Sequence, residues 1–165
     1  MQPDTWLASY NVSEAGPIVF QSGLAPERRL AWFDRDGQQL GTIGDSGRYA
    51  RIRLSPDDAS LAVTLDESST GNADLWVYDL HRNVGSRLTF DDAPDESPVW
   101  SPDGERIAFA SKRDGVNGIF VRAFHGRGAA ERIYESEIRA EPEDWSSDGK
   151  FIAFNAQLEI GRAHV

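Results

Sequence analysis

Apolar residues come in short runs, each bounded by Gly, Pro, Asp, Asn or Ser, and the runs recur. Leu61-Ala62-Val63, Ile107-Ala108-Phe109 and Ile152-Ala153-Phe154 are three versions of one triplet, and Ile18-Val19-Phe20 is a fourth. Ahead of the first three stand Ser55-Pro56-Asp57-Asp58, Ser101-Pro102-Asp103-Gly104 and Ser146-Ser147-Asp148-Gly149, spaced by 46 (101 minus 55) and 45 (146 minus 101) residues. A bulky residue precedes each turn: Leu54, Trp100 and Trp145. Leu30 to Asp34 (LAWFD) matches Leu75 to Asp79 (LWVYD) and Ile119 to Ala123 (IFVRA), and Ile43, Leu88 and Ile133 keep the same period. Agreement at several places within one period identifies a structural repeat.

Each unit predicts four short strands. In the third unit they cover roughly Pro98–Ser101, Arg106–Ser111, Gly118–Phe124 and Glu131–Tyr134, rich in β-branched and aromatic residues. No stretch sustains a helical period. Ser-Pro-Asp-Gly suits a type I turn with Pro second and Gly fourth, where positive φ is wanted. Asp58 takes the place of that Gly, and Asp tolerates the left-handed region better than most residues. Asp36-Gly37 suits a tight hairpin. Four-stranded units of this length predict an all-β propeller of antiparallel blades, since one blade cannot bury both of its faces. Two full blades are expected, Tyr49 to Thr89 and Pro98 to Tyr134. Three strands of an earlier blade (Pro17 to Ile43) and two of a later one (Asp144 to Asn155) are expected beside them. The propeller is therefore expected to be incomplete, with a lead-in over residues 1–16 and partial propeller over 17–158. Glu159 to Val165 is the in-frame translation of GAGATCGGAAGAGCACACGTC, which resembles a sequencing adapter, and is expected to be a non-native tail.

Pro98 to Gly115 (PVWSPDGERIAFASKRDG) resembles the WD-like propeller repeat of the TolB family, a likeness that extends over about Pro17 to Asn155. Asp58 for Gly and Ser147 for Pro depart from its pattern. Arg29 to Ile43, Gly71 to Leu80 and Arg87-Leu88-Thr89-Phe90 are similar to the C-terminal propellers of bacterial receptor-like serine/threonine kinases. The resemblance implies a non-catalytic binding or sensor module of a bacterial signalling protein. It also admits two alternatives: the N-terminal gating propeller of a prolyl-oligopeptidase-type serine peptidase, or a free-standing periplasmic TolB-like protein. An extracytoplasmic compartment and the remaining blades of the parent chain as partners are further implications.

Composition narrows the function classes. A net charge of −10 argues against nucleic-acid binding, which needs a basic face. No apolar run reaches the roughly 18 residues of a membrane-spanning helix, so no membrane insertion is expected of this segment. Met1 to Ala15 does not read as a signal peptide. With no Cys, disulfides and thiol chemistry drop out. No cofactor is expected, and the ligand, protein or small molecule, is not legible.

Candidate chemistry is sparse. Gly44-Asp45-Ser46-Gly47 is similar to a chymotrypsin-type nucleophile loop, but that mechanism needs a His base upstream, and the first His is His81. A blade-connecting loop is the expectation there. His81 and His125, 44 residues apart (125 minus 81), read as exposed turn residues. Asp91, Asp92, Asp95 and Glu96 are weak candidates for an oxygen-liganded metal, without the alternating pattern of a calcium loop. They are expected in a solvated connection. Trp32, Trp76, Trp100 and Trp145 fall on predicted strands and are expected to pack in the core, whereas Trp6 lies outside the repeats.

Overall fold

A computed structural model describes residues 10–12, 18–22, 27–67, 72–126 and 128–156; Trp6 and the Glu159–Val165 tail lie outside them. Every described regular element is a strand, and every pairing is antiparallel. The first sheet contains β1 (Tyr10–Val12), β2 (Ile18–Ser22), β3 (Arg28–Phe33) and the first half of β4 (Gln39–Leu54). The second contains the rest of β4 with β5 (Ser60–Glu67), β6 (Asn72–Asp79) and β7 (Val84–Arg87). The third runs β8 (Asp95–Trp100), β9 (Arg106–Arg113), β10 (Val116–Ala123), β11 (Glu131–Ser136). The fourth holds β12 (Ala140–Trp145) and β13 (Ile152–Ala156).

Two expectations are corrected here. The earlier blade has four strands, not three, because β1 pairs with β2 inside the segment taken as a lead-in; three residues, Tyr10-Asn11-Val12, carry too little pattern to announce a strand. The segment expected as a loop at 44–47 is strand. Residues 39–47 of β4 pair with β3 and residues 48–54 with β5, so one continuous strand leaves one blade and enters the next.

The cores lie between sheets, as stacked blades require. Leu30, Ile43, Ile52, Leu61 and Val63 fill the space between the first two blades. Ala62, Leu75, Val77, Trp100, Ile107 and Phe109 fill the next, and Val99, Ala108, Ile119 and Trp145 the last. Alternation along each middle strand explains this: Leu61 and Val63 face one neighbour, Ala62 the other. The expected tryptophan burial holds for Trp100 and Trp145, while Trp32 and Trp76 are half-buried against the first cluster.

The innermost strands of the second, third and fourth blades each carry a bulge a few residues before the Ser-x-Asp turn: Tyr49/Ile52 in β4, Glu96/Val99 in β8, Pro142/Asp144 in β12. A bulge re-aims side chains locally, and Ser97 in the second adopts φ 56°.

Candidate functional site

Connections alternate between the two ends of the blades. At one end stand the Ser-x-Asp turns and the hairpins joining third to outermost strands; at the other stand the connections that lead into the next blade. The turn end is built three times from one hydrogen-bond unit. Ser55, Ser101 and Ser146 each donate Oγ–H to the carboxylate two residues on, Asp57, Asp103 or Asp148. The same hydroxyls accept the N–H of Ser60, Arg106 and Phe151 at 2.9 Å. Each carboxylate also accepts the N–H of Ala59, Glu105 or Lys150. The Ser hydroxyl, then these amides, hold the three carboxyls below the ordinary range. Asp58, Gly104 and Gly149 all take positive φ, 57°, 71° and 73°, which is why Gly or Asp stands fourth. The repeat motif is thus turn architecture.

Asp79 closes its hairpin by accepting the N–H of Arg82 and of His81 at 3.0 Å, and Asp34 does the same for Gln38 and Asp36. Asp79 is likewise held below the usual carboxylate range, first by the Arg82 amide. These Asx turns explain the Asp that ends LAWFD and LWVYD.

The acidic run is not a solvated connection throughout. Asp95 is fully buried in β8 and receives Arg113, whose Nη2 is 3.1 Å from both of its carboxylate oxygens. Asp91 lies 3.4 Å from the same guanidinium, and Glu96 pairs with Arg139. Asp92 alone of the four is exposed. Arginines thus occupy three of the weak metal candidates. The loss of solvent around Asp95 is offset by this charge-assisted contact, in which one nitrogen meets both carboxylate oxygens. Arg87 meets buried Asp74 in the preceding blade in a similar way.

Charges on the innermost strands meet across blades. Arg51 and Arg53 of β4 reach Glu141 and Glu143 of β12 at 3.3 and 3.7 Å, and Arg139 joins Glu96 to Glu141. The Arg51–Glu141 and Arg53–Glu143 pairs thus bridge the second blade to the fourth. Sequence spacing alone gave no sign of them, since the partners are 90 residues apart.

Gly44-Asp45-Ser46-Gly47 has a packing role at its first residue. A Cβ on Gly44, φ 58°, would sit 2.5 Å from the Tyr78 ring. Tyr78 and Tyr49 share a hydrogen bond between hydroxyls at 3.0 Å, and burial, then that bond, raises the Tyr49 phenol. Ser46 lies 3.4 Å from Glu27. His81 and His125, exposed turn residues as expected, line one cleft of about 490 Å³ between the second and third blades. Their equivalent hairpins are neighbours because the blades are.

Residues 45–165 match the family model of the TolB beta propeller domain. Tricorn protease homolog 1 of Streptomyces coelicolor is 30% identical over 86 residues, which are 52% of this chain and 8% of that protein. The uncharacterized peptidase YuxL of Bacillus subtilis is 26% identical over 59% of this chain and 15% of its own length. TolB from Acinetobacter baumannii superposes with a TM-score of 0.72 at 26% identity, covering 88% of this chain and 36% of that one. A TolB-like structure from Agrobacterium tumefaciens gives a TM-score of 0.78 at 21% identity over 93% of this chain and 57% of its own. The chain therefore spans less than two thirds of each of these relatives. With the repeated turn, the four-stranded blades and a match over most of its length, the chain belongs to the TolB β-propeller family.

Proposed function

We propose that the chain is a non-catalytic recognition module, a run of blades within a larger protein, whose loops and innermost strands contact a ligand or partner. The observation that carries this reading is the use of its polar groups. The Ser-Asp pairs, the Asx turns and the buried Asp74–Arg87 and Asp95–Arg113 pairs all fix a rigid frame. Variable hairpins stand on that frame, the arrangement in which function resides in loops.

Two parents fit. The names of Tricorn protease homolog 1 and the YuxL peptidase support a propeller that gates a separate hydrolase. The Arg29 to Ile43 and Gly71 to Leu80 patterns support the sensor of a receptor-like kinase, with an extracytoplasmic location. Sequencing the complete parent gene and deleting these blades separates them. In a peptidase, deletion is expected to admit larger substrates; in a kinase, it is expected to leave phosphotransfer intact and alter its regulation. A deletion that leaves size selection, regulation and partner binding all unchanged overturns the module reading.

A further inference from the structure

We propose that the seam between the second and third blades, at the turn end, is a docking groove for an extended peptide segment carrying a basic side chain. This rests on the recognition-module reading and names its surface and partner class. The groove has two adjoining lobes of about 490 and 270 Å³, which share Asp57, Ser60, Phe124 and His125. Its walls are held to their own blades: the Leu80 N–H donates to the Ala59 carbonyl at 3.0 Å, and the Phe124 N–H to the Glu105 carbonyl at 2.8 Å. The site is thus preformed, which lowers the ordering cost of binding.

Val77, Val84 and Phe124 give the larger lobe an apolar lining. The Phe124 ring meets Trp100 edge-on at 4.9 Å and His125 at 4.1 Å, so an aromatic wall runs from the core to the surface. Asp57 and Asp79 line the larger lobe, and Asp57, Asp103 and Glu105 the smaller. The competing cations are weakly held to these carboxylates: Arg82 is 3.8 Å from Asp79 in an exposed pair that contributes little, and Arg106, 3.9 Å from Asp103, lies outside both lobes with its guanidinium over the Trp145 ring. An apolar and aromatic lining beneath carboxylates suits a Lys or Arg side chain, whose stem packs while its head stays near charge. Two joined lobes suit neighbouring side chains of an extended segment better than one compact ligand. The net charge of −10 opposes an anionic occupant.

The test is calorimetric titration of the 165-residue chain with blocked tetra-arginine and, separately, blocked tetraglutamate. Tetra-arginine is expected to bind and tetraglutamate not. Glu105→Lys, at an exposed side chain, is expected to weaken binding about fivefold or more, and Arg82→Glu to tighten it about twofold. Asp92→Lys makes the same charge change as Glu105→Lys at the opposite end of the blades, and is expected to leave affinity within about twofold. Equal weakening by Asp92→Lys and Glu105→Lys would show attraction to overall charge and overturn the groove. So would binding of tetraglutamate, or of neither peptide. Those failures leave the module reading standing, because its own test is deletion in the parent.

Discussion

The second and third blades differ from the fourth in one respect that explains most of the molecule. Leu61-Ala62-Val63 and Ile107-Ala108-Phe109 are completely buried, whereas in the fourth blade Ile152 is half-buried and Ala153 and Phe154 are exposed, Phe154 at 40%. Yet the turns ahead of all three triplets are alike, with the same Ser-to-Asp bond and the same left-handed fourth residue. Local turn chemistry forms without its blade being complete. Burial is collective, because each triplet needs a third strand beside it and a further sheet over its face. β9 has both; β13 pairs with β12 alone among the described residues.

The largest expected effects follow from that contrast. Phe109→Ala should cost about 3–5 kcal/mol in chemical unfolding, and Trp100→Ala a similar amount, since both side chains fill the inter-blade core. Trp100 also donates Nε1–H to the Arg53 carbonyl, 3.0 Å away in the preceding blade. Phe154→Ala, at the equivalent position, should cost less than about 1 kcal/mol. Equal losses at Phe109 and Phe154 would mean that the fourth blade is covered in solution. Light scattering addresses the same point. Phe151 is 70% exposed beside the edge of β13 that is unpaired among the described residues, and that strand carries no charge to discourage pairing. The chain is expected to form oligomers, and a monodisperse monomer would remove the contrast.

What the sequence announced was whatever repeats with period. The triplets, the Ser-x-Asp turns and the matched Trp positions recur at 43 to 46 residues, and averaging over copies makes a weak local signal strong. Features that occur once, or that depend on three-dimensional neighbours, were not legible. Tyr10–Val12 is too short to declare itself. Gly44 looked like part of a loop because its reason, the Tyr78 ring, lies in another blade. Asp95 looked solvated because Arg113, which balances it, is a strand away. His81 and His125 are the exposed turn residues expected, but their shared cleft depends on blade stacking, which repeat spacing alone does not display.

Smaller effects test whether the turns are as equivalent as they look. Gly104→Ala places a Cβ in a left-handed backbone, with ordinary contact to Pro56 Cδ at 3.8 Å, so the cost is conformational, about 1–2 kcal/mol. Asp58→Gly at the matching position should stabilise by a few tenths to about 1 kcal/mol. If both changes were neutral in thermal melts, φ at this position would not be what selects Gly.

The smallest expected effect is the most direct test of the comparison. Asp57, Asp103 and Asp148 are held below the ordinary carboxylate range, first by their Ser hydroxyls and next by backbone amides. A carboxyl with a depressed folded value stabilises the fold above its unfolded value, about 3.9, and loses that contribution as pH falls through the folded value. Stability should therefore decline as pH drops below about 4, and the decline should be shallow because these groups are exposed to solvent. Ser101→Ala and Ser146→Ala should each return only the adjacent carboxyl, Asp103 or Asp148, toward its ordinary value in a side-chain NMR titration. The informative carboxyl is Asp148. It sits in the fourth blade, of which two strands are described, yet its bonds to Ser146 and to the Lys150 amide repeat those of the complete blades. It should titrate with Asp57 and Asp103. If Asp148 alone titrates normally in the unaltered chain, the turn needs its whole blade, and the separation of local turn chemistry from collective burial fails.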